Sequence, residues 1–296
     1  MDGAEPFKAE TARSLHFSAA TSAFQIEGGR SIWDDFVDTP RNVIDGSTAE
    51  PGPDSYHRVD GLLAAGVTPE PTLYHWDLPV ALEAVGGWLN RDTAHRFGDY
   101  AEVVADRLGD RVRHWYTINE PASTSLQGYA LGELAPGRSL LFEALPTVRS
   151  SAGPVPFEMV PTPGAPVTGF GPMWPIRPDT MRDFLIDMAQ RYGSALPPIV
   201  ITENGASFPE SETTTTEIDD SDRIDYLNDH LGAVIDAKSA GVRIDGYTVW
   251  SLLDNFEWAD GWSQRFGLVH VDMRTGMRTP KASYRWYRDL IAAARS

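Results

Sequence analysis

Two glutamates stand at the ends of strand-like runs, where they could act as a catalytic pair. Glu120 ends the run in TINEP, and Pro121 forces the chain to turn after it. Glu203 ends a second run in VITENG, where Asn204–Gly205 is a turn signal. One carboxyl group of such a pair could protonate a leaving oxygen while the other attacks a sugar carbon or activates water there. The alternative interpretation is that each is a solvated residue at a strand end.

A tryptophan-rich segment, VWSLLDNFEWADGW, contains residues suited to sugar binding. Trp250 and Trp258 offer planar apolar surfaces for ring faces, and Glu257 between them can bind hydroxyl groups. The alternative is a tryptophan-rich edge of the core. The segment LYHWDLP adds His75 at another predicted strand end, although a lone histidine there is more often structural.

Several other classes of site lack their sequence patterns. The chain has no cysteine, which excludes disulfides, thiolate metal sites and cysteine nucleophiles. The histidines show no ligand spacing such as H-E-x-x-H, and there is no glycine-rich phosphate loop or G-x-S-x-G elbow. The sequence therefore predicts no metal and no cofactor.

The charge of the chain limits its partners. It has 42 acidic and 25 basic residues, a net charge of −17, so nucleic acid and anionic membranes would repel it. A hydrophobic content of 42% is typical of a globular protein. No apolar run approaches a membrane span, and the start MDGAEPFKAE has no apolar core, so we expect a cytoplasmic protein with small-molecule partners. The oligomeric state stays open.

Strand-like and helical patterns alternate along the chain. Five segments are predicted as strands, Leu15–Phe24, Val67–His75, Val112–Asn119, Ile199–Thr202 and Ile244–Leu253. β-branched and aromatic residues dominate most of them, whereas the first is rich in alanine and serine. Apolar periodicity predicts helices near Val59–Ala65, Asp92–Leu108, Asp179–Tyr192, Asp222–Ala240 and Lys281–Ala294. This alternation implies a parallel α/β sheet with functional residues at the C-terminal ends of its strands. Arg30–Arg58 contains no convincing strand, and the stretch 134–178 is irregular and proline-rich.

Eight segments resemble, in the same order, those of glycoside hydrolase family 1, the retaining β-glucosidases. They are FSAATSAFQIEGG, LYHWDLP, GGWLNRDTAHRF, WYTINEP, APVTGFG, IVITENGASF, DGYTVWSLLDNFEWADGWSQRFGLVHVD and TPKASYRWY. TINEP and TENG are the most specific of them. The resemblance implies a (β/α)8 TIM-barrel fold as one domain over 1–296, and a retaining β-glycosidase. Its expected substrates are terminal β-D-glucosides, with galactosides and fucosides as further candidates.

The resemblance also implies a role for each matching residue. Glu120 would be the general acid/base, and Glu203 the nucleophile that forms the covalent glycosyl-enzyme. Asn119 would bind the sugar 2-hydroxyl. The remaining sugar-binding residues would be Gln25, His75, Glu257 and Trp258, with Trp250 as the platform under the ring.

Two segments of the family pattern are missing from this chain. Asp54–Arg58 runs directly into VDGLLAAG, so strand two is absent, together with the arginine that normally touches the nucleophile. After Ala135–Arg138 the chain lacks strands five and six, together with the tyrosine that normally hydrogen-bonds the nucleophile. We therefore predict an incomplete barrel that keeps about five of the eight strands.

An incomplete barrel leaves two further hypotheses open. Open sheet edges and a reduced core would weaken a fold whose net stability is small. The chain could therefore be an inactive truncated family member, either a sugar-binding protein or a non-functional remnant. A different barrel hydrolase with paired glutamates would share the mechanism but not the motifs.

Overall fold

The computed structural model describes residues 12–27, 30–50, 52–53, 61, 64–140, 162–210 and 218–295. These residues fall into two compact units. The first unit contains the described residues of 12–21, 162–255 and 264–295, and the second contains those of 22–140 and 256–263. The helix predicted over Val59–Ala65 lies largely outside the described residues.

The described residues form nine strands. They are β1 (His16–Ala20), β2 (Thr72–Tyr74), β3 (Tyr116–Ile118), β4 (Val167–Thr168), β5 (Gly171–Pro175), β6 (Ile199–Asn204), β7 (Ile244–Trp250), β8 (Val269–Asp272) and β9 (Met277–Pro280). The strands of the second unit are β2 and β3, and the others belong to the first unit.

The described residues also form eight α-helices. They are α1 (Ala23–Glu27), α2 (Ile32–Val37), α3 (Val80–Glu83), α4 (Arg91–Leu108), α5 (Pro121–Ser123), α6 (Pro178–Tyr192), α7 (Ser221–Ser239) and α8 (Ala282–Arg295). A π-helix covers Thr124–Leu131, and short 3₁₀ helices cover Gly87–Leu89, Gly193–Ala195 and Trp258–Asp260. None of the helices in the described part of the chain is both long and apolar enough to cross a bilayer.

A parallel three-stranded sheet forms the centre of the first unit. Its order is β1-β7-β6, so the first strand of the chain pairs with a strand more than 200 residues away. Parallel pairing between the first and last long strands is what closes a (β/α)8 barrel. β7 is buried along its length except at Asp245, as expected for a strand covered on both faces.

The core of the first unit lies between this sheet and its helices. Leu227, Leu231 and Val234 recur at helical spacing on α7 and pack in one cluster with Ile244 and Val249 of β7. Tyr287 and Leu290 of α8 join the same cluster. The amphipathic face that the sequence predicts for α7 is therefore the face that is buried.

The second unit has its own sheet and its own core. β2 and β3 are parallel, with Thr72 opposite Tyr116 and Tyr74 opposite Ile118. Its core is aromatic and includes Phe24, Trp33, Phe36, Phe256 and Trp258. Helix α2 carries Trp33 and Phe36 into this core and begins at a capping box formed by Ser31 and Asp34.

Each of the five predicted ranges contains a strand, and all pairings of these strands are parallel. The predicted lengths of Val67–His75 and Val112–Asn119 are wrong, because β2 and β3 cover only three residues each. The predicted extension of the first strand to Phe24 is wrong, because Ala23–Glu27 forms helix α1. The helices predicted near Asp92–Leu108, Asp179–Tyr192, Asp222–Ala240 and Lys281–Ala294 are confirmed as α4, α6, α7 and α8. The described part of Arg30–Arg58 contains α2 and no strand.

Two antiparallel strand pairs were not predicted. β4 pairs with β5, and β8 pairs with β9. The first of these pairs lies inside the stretch 134–178, of which 141–161 is outside the described residues. The assignment of one domain to 1–296 stays a prediction.

Candidate active site

Glu203 lies in a bulge at the end of β6. Ile201 is opposite Tyr247, but Asn204 is opposite Val249, so three steps along β6 match two along β7. A single extra residue of this kind bends the strand and redirects its side chains. The half-buried Glu203 side chain is therefore directed by the bulge and not by a regular ladder.

The two residues after Glu203 are fixed by contacts within the first unit. The Tyr247 hydroxyl donates a hydrogen bond to Asn204 Oδ1 at 2.7 Å, and Asn204 Nδ2 donates to the Tyr226 hydroxyl at 3.4 Å. At Gly205 a Cβ atom would lie 1.8 Å from the carbonyl oxygen of Trp250, the last residue of β7. The side-chain hydrogen bonds of Asn204 and the close approach of Gly205 to Trp250 thus explain the residue types at these two positions.

A buried network of charges connects the segments that follow β6 and β7. Arg223 of α7 donates to Asp220 at 2.9 Å and to Glu210 at 2.6 Å. Lys281 donates to Glu210 and, at 2.9 Å, to Asp254. Burial raises the pKa of Asp254, but the charge of Lys281 and hydrogen bonds to the carboxylate outweigh it and lower the pKa to about 2.

Glu210, Asp254 and His270 are the residues of this network that could hold a cation. Their ligand atoms lie within 4.8 Å of one another. The ammonium group of Lys281 already bonds to both carboxylates. It therefore supplies the positive charge that a metal ion would bring, and the group is better described as an ion-pair network.

In the second unit, Glu120 is separated from β3 by Asn119 alone and stands directly before the short helix α5. Its backbone is left-handed, with φ 37° and ψ 63°, which is uncommon for a residue other than glycine. Pro121 occupies the first position of the helix, where no N–H is needed. The exposed Glu120 carboxylate accepts a hydrogen bond from the Ser123 hydroxyl at 2.9 Å. The sharp turn thus presents the carboxylate at the strand end.

Asn119 and His75 meet at the ends of the paired strands β3 and β2. The Asn119 backbone N–H donates to the carbonyl oxygen of Tyr74 at 2.9 Å, which extends the pairing. Asn119 Nδ2 donates to His75 Nε2 at 3.2 Å, which places the imidazole proton on Nδ1. Burial lowers the pKa of His75 to about 4, so this side chain is neutral at pH 7.

Trp258 stacks on His75, with ring centroids 6.2 Å apart and planes 16° apart. Trp33 and Trp76 also contact it, at centroid distances of 4.3 and 4.9 Å. Trp258 is only 6% exposed, so it is part of the core of the second unit and at most one edge is open to a ligand. Its stacking on the imidazole helps to fix the orientation of the His75 ring.

Gln25 and Glu257 form a further pair of predicted site residues. Gln25 Nε2 donates to Glu257 Oε2 at 3.2 Å, and the Phe256 N–H donates to the Gln25 carbonyl oxygen at 2.9 Å. Gln25 is fully buried on α1, whereas Glu257 is half-buried. The buried amide therefore orients the more accessible carboxylate.

The structure distributes the eight predicted site residues between the two units. The second unit brings together Gln25, His75, Asn119, Glu120, Glu257 and Trp258. The first unit contains Glu203 and Trp250.

The sequence analysis missed supporting residues beside both glutamates. Ser123 bonds to Glu120, and Tyr226 and Tyr247 bond to Asn204, the residue after Glu203. Ser123 lies one helical turn after Glu120, and that spacing could have revealed it. The two tyrosines are distant from Asn204 in sequence and carried no such signal.

The sequence profile of Glycosyl hydrolase family 1 matches residues 8–61, 59–152 and 155–295. The chain belongs to glycosyl hydrolase family 1. The match is broken at 59–61 and again at 152–155. These two breaks, which lie almost wholly outside the described residues, confirm that this family 1 chain lacks two internal segments.

Full-length relatives show how much is missing. The chain is 32% identical to "Thermostable beta-glucosidase B" of Thermobispora bispora over 425 aligned positions, covering 93% of this chain and 89% of the relative. The chain has 296 residues, so well over a hundred of those positions have no counterpart in it. It is also 29% identical to "Bifunctional beta-D-glucosidase/beta-D-fucosidase" of Bifidobacterium breve, over 95% of this chain and 98% of the relative.

A solved structure with the same fold is that of the Thermotoga maritima β-glucosidase in complex with glucoimidazole. The TM-score is 0.84 at 27% sequence identity, with 95% of this chain and 98% of that chain covered. The fold of this family 1 glycosyl hydrolase is therefore an incomplete (β/α)8 TIM barrel, as the sequence predicts.

Proposed function

We propose that this family 1 glycosyl hydrolase is a retaining β-glycosidase that removes non-reducing terminal β-D-glucosyl residues from small β-glucosides and oligosaccharides. The observation that carries the proposal is the position of Glu120 and Glu203. Glu203 is the penultimate residue of the parallel strand β6, and Glu120 comes two residues after the end of the parallel strand β3. (β/α)8 barrel enzymes place their catalytic groups at such C-terminal strand ends.

In the first step, Glu203 attacks the anomeric carbon of the terminal sugar. The bond between that carbon and the aglycone oxygen breaks, and an ester forms between the sugar and Glu203. Glu120 gives its proton to the departing oxygen, so the aglycone leaves as a neutral alcohol.

In the second step, water attacks the anomeric carbon of the glycosyl-enzyme. Glu120, now a carboxylate, takes a proton from the water, and the ester bond to Glu203 breaks. Two inversions return the sugar in its original β configuration. Both residues end in the protonation states in which they began.

The remaining predicted residues bind the sugar in this proposal. Asn119 takes the 2-hydroxyl, a contact that strengthens in the transition state, and its hydrogen bond to His75 fixes the direction of its amide. Glu257, oriented by Gln25, takes further hydroxyls, and its charge would repel a 6-phospho sugar. Trp250 forms the platform under the sugar ring, and His75 and Trp258 bind further hydroxyl groups.

Sugar specificity is proposed to extend beyond glucose. The Bifidobacterium breve relative is named for both β-D-glucosidase and β-D-fucosidase activity. Fucosides and galactosides are therefore the next substrates to examine after glucosides.

A second candidate function is favoured by the missing segments. Without strands two, five and six of the family pattern, the chain lacks the arginine and tyrosine that would support the nucleophile. Losing an oriented electrostatic partner costs on the order of 10²–10³ in rate. A sugar-binding remnant without turnover is the outcome that this loss favours.

The test is hydrolysis of an aryl β-glucoside by purified protein that also shows a cooperative thermal melt. Glu203→Ala should abolish hydrolysis, and azide should restore part of the aglycone release by displacing the aglycone from the face that Glu203 vacates, giving α-glucosyl azide. Glu120→Ala should mainly reduce hydrolysis of substrates with poor leaving groups.

A matched control is Glu133→Ala, which removes an exposed glutamate of the second unit and should leave hydrolysis unchanged. Full activity of the Glu203→Ala variant would refute the proposed mechanism. A wild-type protein that melts cooperatively and binds glucose-like inhibitors without turning over substrate would establish the second candidate function.

A further inference from the structure

We propose that Tyr247 is a positioning residue for Glu203 and that it acts through the side chain of Asn204. The inference rests on the proposed role of Glu203 as nucleophile. It goes beyond that role by naming what holds the nucleophile in a chain without the family's supporting arginine and tyrosine. Four observations within the first unit support it.

The first observation is that the ladder does not fix Glu203. Val200 and Ile201 of β6 pair in step with Gly246 and Tyr247, and the next paired residue is Asn204, opposite Val249. Thr202 and Glu203 lie in the bulge between these points. The position of the Glu203 backbone therefore depends on how firmly both ends of the bulge are held.

The second observation is a direct hydrogen bond on the C-terminal side of the bulge. The Tyr247 hydroxyl donates to Asn204 Oδ1 at 2.7 Å, the usual length of a well-formed hydrogen bond from an O–H donor. Tyr247 is itself immobilised, because it is 1% exposed and its own backbone lies in the central strand β7. It is therefore a fixed point to which Asn204 is tied.

The third observation is a second, weaker contact to the same side chain. Asn204 Nδ2 donates to the Tyr226 hydroxyl at 3.4 Å. The Tyr226 ring stacks on His230 of its own helix, with centroids 3.9 Å apart. Burial raises the pKa of Tyr226 to about 12 and that of Tyr247 well above its ordinary value, so both phenols stay protonated near neutral pH.

The fourth observation is that Gly205, the residue after Asn204, cannot move towards β7. Gly205 lies against the carbonyl oxygen of Trp250, with no room for even a Cβ atom. Asn204 therefore has one rigid neighbour after it and the bulge before it. If the hydrogen bond from Tyr247 is lost, any shift of Asn204 must be accommodated by the bulge, which contains Glu203.

A displacement of the nucleophile has a measurable kinetic effect. A misplacement of about 1 Å can cost on the order of 100-fold in a reaction that depends on near-attack geometry. Loss of one buried hydrogen bond that leaves the asparagine in place should cost less, and we expect about tenfold in the rate of attack by Glu203.

The experiment measures inactivation by 2,4-dinitrophenyl 2-deoxy-2-fluoro-β-D-glucoside, with labelling of Glu203 followed by mass spectrometry. Dinitrophenolate leaves without protonation, so the inactivation rate constant reports attack by Glu203 without the acid step. Tyr247→Phe should lower this constant about tenfold, and the binding of a competitive glucose-like inhibitor should change little.

The matched control is Tyr287→Phe. Tyr287 is also a buried tyrosine of the first unit, but its hydroxyl donates to the backbone oxygens of Ser18 and Tyr247 and not to Asn204. This variant should keep an inactivation rate constant close to that of the wild type. Thermal melts of both variants show whether each is folded.

The outcomes separate the two proposals. If folded wild-type protein is not labelled at Glu203, the proposed function fails. If the wild type is labelled and Tyr247→Phe reacts as fast as Tyr287→Phe, the positioning role is overturned. Should Tyr247→Phe fail to fold, Tyr226→Phe decides, because loss of the weaker bond should lower the constant about twofold and an unchanged constant overturns the role.

Discussion

Gly205 approaches the carbonyl group of Trp250 so closely that a Cβ atom on Gly205 would lie 1.8 Å from that oxygen. Gly205 comes directly after β6, and Trp250 is the last residue of β7. The two strand ends are therefore in backbone contact at the point where the chain leaves the sheet. The glycine of the TENG motif is a packing requirement, and it ties the proposed nucleophile strand to the proposed ring platform.

Gly205→Ala should destabilise the protein by at least about 3 kcal/mol, because the methyl group meets backbone that cannot rotate away. The measurement is the free energy of unfolding from urea denaturation. Gly232→Ala is the matched control, because this glycine lies within α7 with open space at its Cβ position. Alanine favours a helix, so the control should gain up to about 1 kcal/mol. Equal stability of the two variants would contradict the packing argument.

Most strands of the parallel sheets could be predicted because they carry a run of β-branched or aromatic residues, whereas β1, with the sequence HFSAA, is rich in alanine and serine and carried the weakest signal. The pairs β4–β5 and β8–β9 could not, because short runs such as GPMWP and MRTP have glycine, proline or charge in place of apolar alternation. The sequence pattern also could not show which apolar strand residues remain exposed because a neighbouring strand is missing. Val200 on β6 and Ile118 on β3 remain 40% and 37% exposed, at strands that have one partner each among the described residues.

For the candidate site, what could be predicted was limited to residues at strand ends. Asn119 and Glu120 come just after β3, and Glu203 lies at the end of β6, so parallel topology alone brings them to the same kind of position. Their supporting contacts depend on tertiary structure. Tyr247 lies 43 residues from Asn204, and neither the bulge in β6 nor the direction of the tyrosine hydroxyl is encoded in a local pattern.

His75 should make the protein sensitive to acid between about pH 6.5 and pH 4. Burial lowers its pKa from 6.5 to about 4, so in this range the unfolded chain binds a proton that the native state excludes. The free energy of unfolding therefore falls as the pH falls, by about 3 kcal/mol at pH 4 from this residue. Urea denaturation at pH 7, 5 and 4 measures it.

His75→Gln should remove that part of the acid sensitivity. His95→Gln, which changes an exposed histidine in the same unit, should retain it. Burial also lowers the pKa of His230 in the first unit, so some sensitivity should persist in both variants. A wild type and a His75→Gln variant with parallel pH profiles would show that His75 titrates normally.

Ser123 should assist the proposed general acid. Its hydroxyl is 2.9 Å from the Glu120 carboxylate and holds it in one orientation. Ser123→Ala should lower kcat/KM about three- to tenfold for alkyl glucosides, whose leaving group must be protonated. For 2,4-dinitrophenyl β-glucoside, which needs no acid, kcat/KM should be unchanged.

Ser125→Ala is the control for that effect. Ser125 is two residues away, and its hydroxyl donates to the carbonyl oxygen of Pro121 at 2.8 Å instead of to the carboxylate. We expect it to leave both substrates unaffected. A Ser123→Ala variant that loses activity equally on the two substrates would assign Ser123 a structural role only.

Lys281 should be essential for the stability of the first unit. It is fully buried and bonds to both Glu210 and Asp254, so Lys281→Met leaves two buried carboxylates without that cation. The expected loss is about 3–5 kcal/mol in the free energy of unfolding at pH 7. Lys238→Met is the control. Lys238 is half-buried, and its observed hydrogen bond is to the backbone oxygen of Ile244 and not to a carboxylate. The control should therefore lose only about 1 kcal/mol in the free energy of unfolding.

The pH dependence of that loss identifies its cause. Without Lys281 the pKa of Asp254 should rise from about 2, because the main group that counters its burial is gone. The variant then takes up a proton at a pH where the wild type does not, and its deficit in unfolding free energy should shrink as the pH falls from 7 to 4. A deficit that is constant over this range would mean that lost packing of the lysine side chain, and not an uncompensated carboxylate, accounts for it.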